Sequence, residues 1–240
     1  MDETEDHLAA ETVMLPECGW RIDPRHALIA AALCWAGFAA MAAMVVTGHG
    51  AAFDTAGLKL WREGRALEVP HGPMWLIEAV RDFTALGGWL LRSLFAIGAI
   101  AALLFLRLRR EAVLFGGTVI GGWIGAAAMK AAFGRPRPTI VSHLAEAAGN
   151  SFPSGHSFNA ATVYIAMALA FAAISRRHSV RWTIIAGALV LTLLIALSRV
   201  WLGVHYPSDA IAGWLGGAGW AFAACALFYR PAKATVHGAD

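Results

Sequence analysis

Charged residues and cysteines are both scarce in this chain of 240 residues. Only 15% of the residues are charged, whereas 58% are hydrophobic and the mean hydropathy is +0.59. The three cysteines, Cys18, Cys34 and Cys225, show no paired spacing, which argues against a disulfide framework or a zinc site. The net charge is only +3 and the basic residues are scattered, so nucleic-acid binding has no support. The composition excludes a water-soluble domain and indicates an all-α, polytopic membrane protein.

The apolar residues are concentrated in six segments, each near the roughly 20 residues that cross a bilayer as a helix. Residues 1–26 precede them, are rich in acidic residues and lack the basic start and short apolar core of a cleavable signal. We therefore expect a polar cytoplasmic tail over 1–26, a membrane domain over 27–230 and a cytoplasmic tail over 231–240. The predicted spans are 27–47, 86–106, 112–133, 156–174, 182–197 and 210–229.

The longest connection, residues 48–85, mixes apolar and charged side chains. This mixture predicts either a helix lying on the membrane surface or a solvated loop with a short helix. The residues concerned are Leu58, Lys59, Leu60, Trp61, Arg62 and Glu63.

Two predicted spans contain residues for which we expect structural roles. Arg92, near the start of the second span, is expected to extend to the interface or to pair with Asp82. Gly117, Gly121 and Gly125 recur every fourth residue in the third span, which predicts close contact with a neighbouring helix.

The basic residues of the short connections predict the orientation. If both termini are cytoplasmic, that side holds ten Lys and Arg residues and the opposite side holds eight. Four of the eight lie in the long connection and four near the motifs described below. The short connections therefore place both termini inside.

The tetrapeptide Pro153-Ser154-Gly155-His156 opens the fourth apolar segment. Backbone amides of Ser154, Gly155 and His156 would lie where a helix N-terminus favours a bound anion. His156 can donate a proton to a group that leaves the anion.

Two further blocks flank this tetrapeptide at fixed spacing. Lys130 precedes Arg137-Pro138 by six intervening residues, and Ser198-Arg199 is followed after five residues by His205 and after three more by Asp209. Cations near the bilayer edge are costly unless they meet an anion, and phosphoryl oxygens suit guanidinium groups. A carboxylate beside His205 would fix its tautomer and leave the other ring nitrogen free to attack phosphorus. All these residues fall at the extracytoplasmic ends of spans 3 to 6.

The three blocks resemble the type 2 phosphatidic acid phosphatase (PAP2) superfamily, whose signature is KxxxxxxRP, PSGH and SRxxxxxHxxxD. The resemblance implies that His205 is the nucleophile and forms a phosphohistidine, that Asp209 orients it, and that His156 protonates the leaving oxygen. It also implies that water then hydrolyses the phosphoenzyme with His156 as base, and that Ser198 positions its neighbours. No metal or cofactor is implied. The phosphoryl oxygens would be held by Lys130, Arg137, Ser154, Gly155 and Arg199.

The family includes soluble acid phosphatases and vanadate-dependent haloperoxidases, but six spans favour its lipid branch. We expect an enzyme of a bacterial inner membrane that acts in the bilayer on a lipid phosphate or diphosphate, such as undecaprenyl diphosphate, phosphatidate or phosphatidylglycerol phosphate. We expect no nucleic acid and no obligatory protein partner. A lipid phosphotransferase with the same intermediate, or a non-catalytic lipid-binding or transport protein, are the alternatives.

Overall fold

The computed structural model describes residues 23–63, 67, 69–175 and 177–228. Most of the two predicted tails, together with Cys18 and Arg176, lies outside these residues. Within them the chain forms eight helices and one two-stranded hairpin. The elements are α1 (Pro24–Val46), α2 (Ala51–Lys59), β1 (Arg62–Glu63), β2 (Val69–Pro70), α3 (Met74–Ala85), α4 (Trp89–Phe105), α5 (Arg109–Phe133), α6 (Gly155–Ala172), α7 (His178–Trp201) and α8 (Pro207–Phe228).

Each of the six predicted apolar segments is a helix, with ends that shift by at most four residues: they are α1, α4, α5, α6, α7 and α8. By length and hydropathy four of these, α1, α5, α7 and α8, qualify as membrane spans. Helices α3 and α4, which meet at a bend of 43°, would together make a fifth. The protein is therefore mostly helical, with four to five candidate spans.

Helix α6 lies at the centre of the bundle and packs against α4, α5, α7 and α8. Most of its residues are buried. The first turns of α6 lie directly against the backbone of α8. A Cβ atom at Gly217 would lie 2.1 Å from the Phe158 carbonyl oxygen, and a Cβ atom at Gly213 would lie 2.5 Å from the Ser154 carbonyl oxygen. These glycines fix the start of α6 against the start of α8.

The outer surface of the bundle is apolar, with large aliphatic side chains exposed on α1, α4, α5 and α7. A helix that is apolar on its outer as well as its inner face is typical of a bilayer environment. Examples more than half exposed are Ile29, Leu33, Leu90, Ile97, Ile120, Ile124 and Val190.

The long connection contains two helices and the hairpin, more structure than either alternative predicted. Helix α2 packs on α8 and α3 packs on α7. Leu58 of α2 is buried, and the Gly57 backbone approaches Pro207, since a Cβ atom at Gly57 would lie 2.4 Å from Pro207 Cγ. The strands pair antiparallel, with Arg62 opposite Pro70. The connection thus forms a cap on the end of the bundle.

The expectation for Arg92 is wrong. Its residue is only 5% exposed, and its Nη1 donates to the Gly87 carbonyl oxygen at 2.9 Å. The guanidinium carbon lies 5.4 Å from the centre of the Trp123 ring. The side chain therefore points into the bundle, and it neither extends to the interface nor pairs with Asp82.

One of the three glycines of the α5 repeat lies against a neighbouring helix. A Cβ atom at Gly121 would lie 2.8 Å from the Trp220 ring, whereas Gly117 and Gly125 face open space. The predicted close contact is confirmed for Gly121 alone, because the other two do not face a neighbouring helix.

Candidate active site

The predicted site residues meet at one end of the bundle. Lys130 lies near the end of α5, Gly155 and His156 begin α6, Arg199 lies near the end of α7, and Asp209 lies in the first turn of α8. Residues 134–154 connect α5 to α6 across this end and bring Arg137 to the same place.

A tight turn after α7 positions His205. Gly203 has φ +77°, and its amide donates to the Val200 carbonyl oxygen at 2.9 Å. A Cβ atom at Gly203 would lie only 2.8 Å from the Ser142 carbonyl oxygen. Any other residue would be strained in this conformation and short of space. His205 follows two residues later and is 2% exposed.

The Nδ1 side of His205 faces Ser151 and Asp209. Ser151 Oγ lies 3.2 Å from His205 Nδ1, and the Ser151 hydroxyl donates to Asp209 Oδ2. Asp209 Oδ2 is 3.6 Å from His205 Nδ1, longer than an ordinary hydrogen bond, and it accepts from the Tyr206 amide at 3.0 Å. The expected direct contact between carboxylate and imidazole is thus supplemented by the Ser151 hydroxyl, which the sequence motifs do not include.

The Nε2 side of His205 faces Arg137, whose Nη1 lies 3.2 Å away. A guanidinium can only donate, so Nε2 accepts and the ring proton resides on Nδ1. Burial lowers the pKa of His205 to about 4, although the Asp209 carboxylate opposes this shift. The imidazole is therefore neutral at physiological pH, with its lone pair directed toward the cations.

Arg137 is held by three backbone carbonyl groups. Its Nη1, Nη2 and Nε donate to the oxygens of Val204 at 2.7 Å, Ala148 at 2.8 Å and Gly149 at 3.0 Å. Burial lowers the pKa of this guanidinium, and the Asp209 carboxylate opposes the change. A side chain fixed by three carbonyls presents its charge to His205 in one orientation.

Lys130 is anchored beside the start of α6. Its Nζ donates to the Asn150 carbonyl oxygen at 2.6 Å, and the Asn150 side chain donates to the Lys130 carbonyl oxygen at 2.9 Å. A Cβ atom at Gly155 would lie 3.3 Å from Lys130 Cε. The absence of a side chain at Gly155 thus leaves room for the lysine next to the first amides of α6.

Arg199 is buried and bonded to α3. Its Nη1 donates to Thr84 Oγ1 at 3.1 Å, and the Ser198 hydroxyl donates to the same oxygen at 2.8 Å. Within the described residues Arg199 Nε has no hydrogen-bond partner. The charges of Arg199 and Lys130 both act on His156, so the two cations and this histidine share one site.

Ser154 is engaged within the protein. Its amide donates to the Asp209 carbonyl oxygen at 3.0 Å. Its Oγ caps α6 by accepting from the Ser157 amide at 3.4 Å, and it also accepts from the Ser157 hydroxyl at 2.9 Å. The expectation that the Ser154 amide faces an anion is therefore wrong. The amides of Gly155 and His156 remain as first-turn donors without an intrahelical acceptor.

The Asp209 carboxylate is also bonded to an ion pair, Arg135 and Asp54, that the motifs do not include. Arg135 Nη1 donates to Asp209 Oδ1 at 2.6 Å, and Arg135 Nη2 donates to Asp54 Oδ2 at 2.7 Å. Asp54, on α2, is 1% exposed and also accepts from the Ser208 amide at 2.9 Å and the Ser208 hydroxyl at 2.7 Å. Burial lowers the pKa of Arg135, but the carboxylates of Asp209 and Asp54 outweigh it and the net shift is upward.

Of the four residues that contact the site but lie outside the motifs, only one could have been suspected from the sequence. Arg135 is visible two residues before Arg137, whereas nothing in the sequence near Asp54, Ser151 or Thr84 indicates a partner. Among the described residues no group of three His, Cys, Asp or Glu side chains could hold a metal ion.

Fold and site together define a helical membrane protein whose candidate site brings two histidines and several cations together at one end of the bundle. Residues 110–233, more than half of the chain, match the family model described as PAP2 superfamily. The chain is 34% identical to phosphatidylglycerophosphatase B of Bacillus subtilis (strain 168) over 58% of this chain and 68% of that protein. The chain therefore belongs to the PAP2 superfamily, which confirms the resemblance inferred from the motifs.

Two other relatives and one solved structure are also similar to this chain. The chain is 34% identical to a lipid A 1-phosphatase of Rhizobium etli over 47% of this chain and 51% of that protein. It is 32% identical to an undecaprenyl-diphosphatase of Bacillus subtilis over 42% and 50% of the respective lengths. The crystal structure of a transmembrane PAP2-type phosphatidylglycerolphosphate phosphatase from Bacillus subtilis matches with a TM-score of 0.72 and 26% identity, covering 81% of this chain and 93% of that one.

Proposed function

We propose that this protein is a multi-pass membrane lipid phosphatase that hydrolyses a phosphate monoester or diphosphate of a lipid through a phosphohistidine on His205. The substrate class includes phosphatidylglycerophosphate, undecaprenyl diphosphate and lipid A phosphate, on which the relatives act according to their names. The protein requires no metal in this proposal, since the cations of the site supply positive charge.

One observation carries the proposal. His205 has Nδ1 on Ser151, beside Asp209, and Nε2 within 3.2 Å of Arg137. The ring is thus held in the tautomer whose Nε2 lone pair points at a cationic centre, where a phosphoryl group would bind.

The chemistry follows from this arrangement. His205 Nε2 attacks phosphorus, the bond from phosphorus to the leaving oxygen breaks, and His156 gives that oxygen a proton. Water, deprotonated by His156, then attacks phosphorus and releases inorganic phosphate and neutral His205. Lys130, Arg137, Arg199 and the Gly155 amide would neutralise the phosphoryl oxygens during both transfers. Ser154 would contribute through its hydroxyl and by capping α6.

Apolar grooves support a lipid as the substrate. One groove, between α3 and α7, is about 310 Å³ in volume, and its lining includes Ser198, the neighbour of Arg199. Another, of about 450 Å³, lies between α4 and α6. Both are lined almost entirely by hydrocarbon, so a lipid tail in the bilayer could lie against the bundle while its head group enters the site.

The orientation is part of the proposal. Six spans, α1 and α4 to α8, would place both termini in the cytoplasm and the site at the extracytoplasmic face of a bacterial inner membrane. The excess of basic residues in the short connections supports this orientation.

Phosphate release from lipid phosphates in detergent tests the function. We expect wild-type protein to release phosphate in the presence of a chelator, and His205→Ala to release none. Release that needs a divalent ion, or that persists in His205→Ala, would contradict the proposal. Appearance of a newly phosphorylated lipid without free phosphate would indicate a phosphotransferase instead.

A further inference from the structure

Arg92 is a buried cation without a carboxylate partner among the described residues. Its Nη1 donates to the Gly87 carbonyl oxygen, its guanidinium lies over the face of the Trp123 ring, and it interacts electrostatically with the Tyr164 phenol. Its Nε has no hydrogen-bond partner in the same part of the chain. A buried guanidinium is costly unless an anion compensates it, and a charge inside a membrane protein commonly marks a functional site.

Arg92 lies beside His156. The Gly87 carbonyl oxygen accepts from Arg92, while a Cβ atom at Gly87 would lie 3.5 Å from His156 Cδ2. The charge of Arg92 acts on His156, whereas the strongest charges acting on His205 come from Asp209, Arg137 and Arg199. Arg92 is therefore on the His156 side of the site, where the leaving group departs.

A second buried polar atom beside Arg92 has no partner within the described residues. It is Nε1 of Trp123, the residue whose ring lies against the Arg92 guanidinium. Trp123 lies two helical turns before Lys130 on α5, so it shares a helix face with a site residue and lies deeper in the bundle. An unpaired buried donor of this kind requires a ligand or water.

We propose that Arg92 and Trp123 form a second phosphate subsite that binds the lipid-proximal phosphate of a lipid diphosphate. This inference rests on the proposed function. The terminal phosphate would bind at His205, and the second phosphate would lie deeper, toward the bilayer from which the lipid tail comes.

The chemistry explains why a cation is useful there. When His205 Nε2 attacks the terminal phosphorus of a diphosphate, the bond to the bridging oxygen breaks and the leaving group is a lipid monophosphate. Negative charge develops on that leaving phosphate, next to His156, and Arg92 would stabilise it. A phosphate monoester leaves instead as a neutral alcohol once His156 has protonated it, so the subsite favours diphosphates.

The activity test compares farnesyl diphosphate with dioleoyl phosphatidate in detergent. In Arg92→Gln we expect kcat/KM for the diphosphate to fall at least about tenfold more than for phosphatidate, the loss typical of a hydrogen bond to a charged group. Arg92→Lys should restore part of this selectivity, and Trp123→Phe should reduce it. Arg109→Gln, which removes an exposed arginine at the start of α5, the end of that helix opposite Lys130, serves as the matched control and should leave the ratio unchanged. Equal losses on both substrates in Arg92→Gln would overturn the proposal.

A binding test separates this inference from the function. In the His205→Ala protein we expect inorganic diphosphate to raise Tm at concentrations at least about tenfold lower than inorganic phosphate. The additional Arg92→Gln substitution should abolish the difference. Equal effects of the two anions in His205→Ala would refute the subsite even if lipid phosphatase activity is present. If inorganic diphosphate binds tightly but Arg92→Gln leaves farnesyl diphosphate turnover intact, the site is one for the free anion and not for the lipid.

Discussion

The buried pair of Asp54 and Arg135 should control the rate of phosphoryl transfer although neither residue is in the motifs. Asp54→Asn keeps the shape of the side chain but replaces one acceptor oxygen with an NH2 group. If that group takes the place of Oδ2, it faces Arg135 Nη2, which donates across 2.7 Å in the native protein. Two donors would then oppose each other, and Arg135 would shift away from Asp209.

The structure allows the size of the effect to be worked out. Removing one partner of a fully buried ion pair costs about 3–5 kcal/mol of stability. Arg135 keeps Asp209 and its side chain is 18% exposed, so we expect a loss of about 1–3 kcal/mol. If about half of this loss, about 0.5–1.5 kcal/mol, appears in the transition state, where Asp209 must stabilise a cationic imidazole, kcat falls about two- to tenfold. KM should change less than about threefold, because Asp54 does not contact the substrate.

The assay is phosphate release from a lipid phosphate, with kcat normalised to the amount of phosphoenzyme formed per mole of protein. Normalisation removes any loss that comes from unfolded protein. Asp82→Asn, an exposed residue of α3, is the matched control and should match wild type. A normalised kcat for Asp54→Asn within about twofold of wild type would refute the positioning role, as would a change confined to KM.

Three further predictions concern His205 and its surroundings. Ser151→Ala should lower kcat about tenfold with little change in KM, because the hydroxyl links Asp209 to Nδ1; wild-type kinetics would show that the link is dispensable. Burial lowers the pKa of His205 to about 4, and diethyl pyrocarbonate reacts only with neutral imidazole. The modification of His205 should therefore decline only as the pH falls through about 4. A midpoint of this pH dependence near 6.5 would contradict the lowered pKa. Gly203→Ala should lower Tm and activity together, because φ is +77° and the new Cβ would crowd the Ser142 carbonyl; an unchanged Tm would show that the turn adapts.

The helices and the central site residues could be predicted because their signals are local. An apolar run of about 20 residues has few alternatives to a membrane helix. The fixed spacings around Lys130, His156 and His205 place each at a helix end, and the alternation of spans brings those ends together. The same fixed spacings also indicated the PAP2 superfamily.

The remaining features depend on contacts between distant parts of the chain. Asp54 and Arg135 are 81 residues apart, and Ser198 and Thr84 are 114 apart, so only the packing of α2 and α3 on the bundle shows that they meet. Arg92 was assigned to the interface because an arginine near a span end usually extends to water. The direction of a side chain around its helix decides this, and a single sequence does not fix that direction.

Trapping of the phosphoenzyme tests the central claim most directly. Protein mixed with a lipid phosphate labelled with ³²P should, after a rapid quench in base, carry label on the peptide that contains His205. A phosphohistidine is stable in base and labile in acid, and the label should be absent from His205→Ala. Turnover without label on this peptide, or label that persists in His205→Ala, would show that His205 is not the nucleophile.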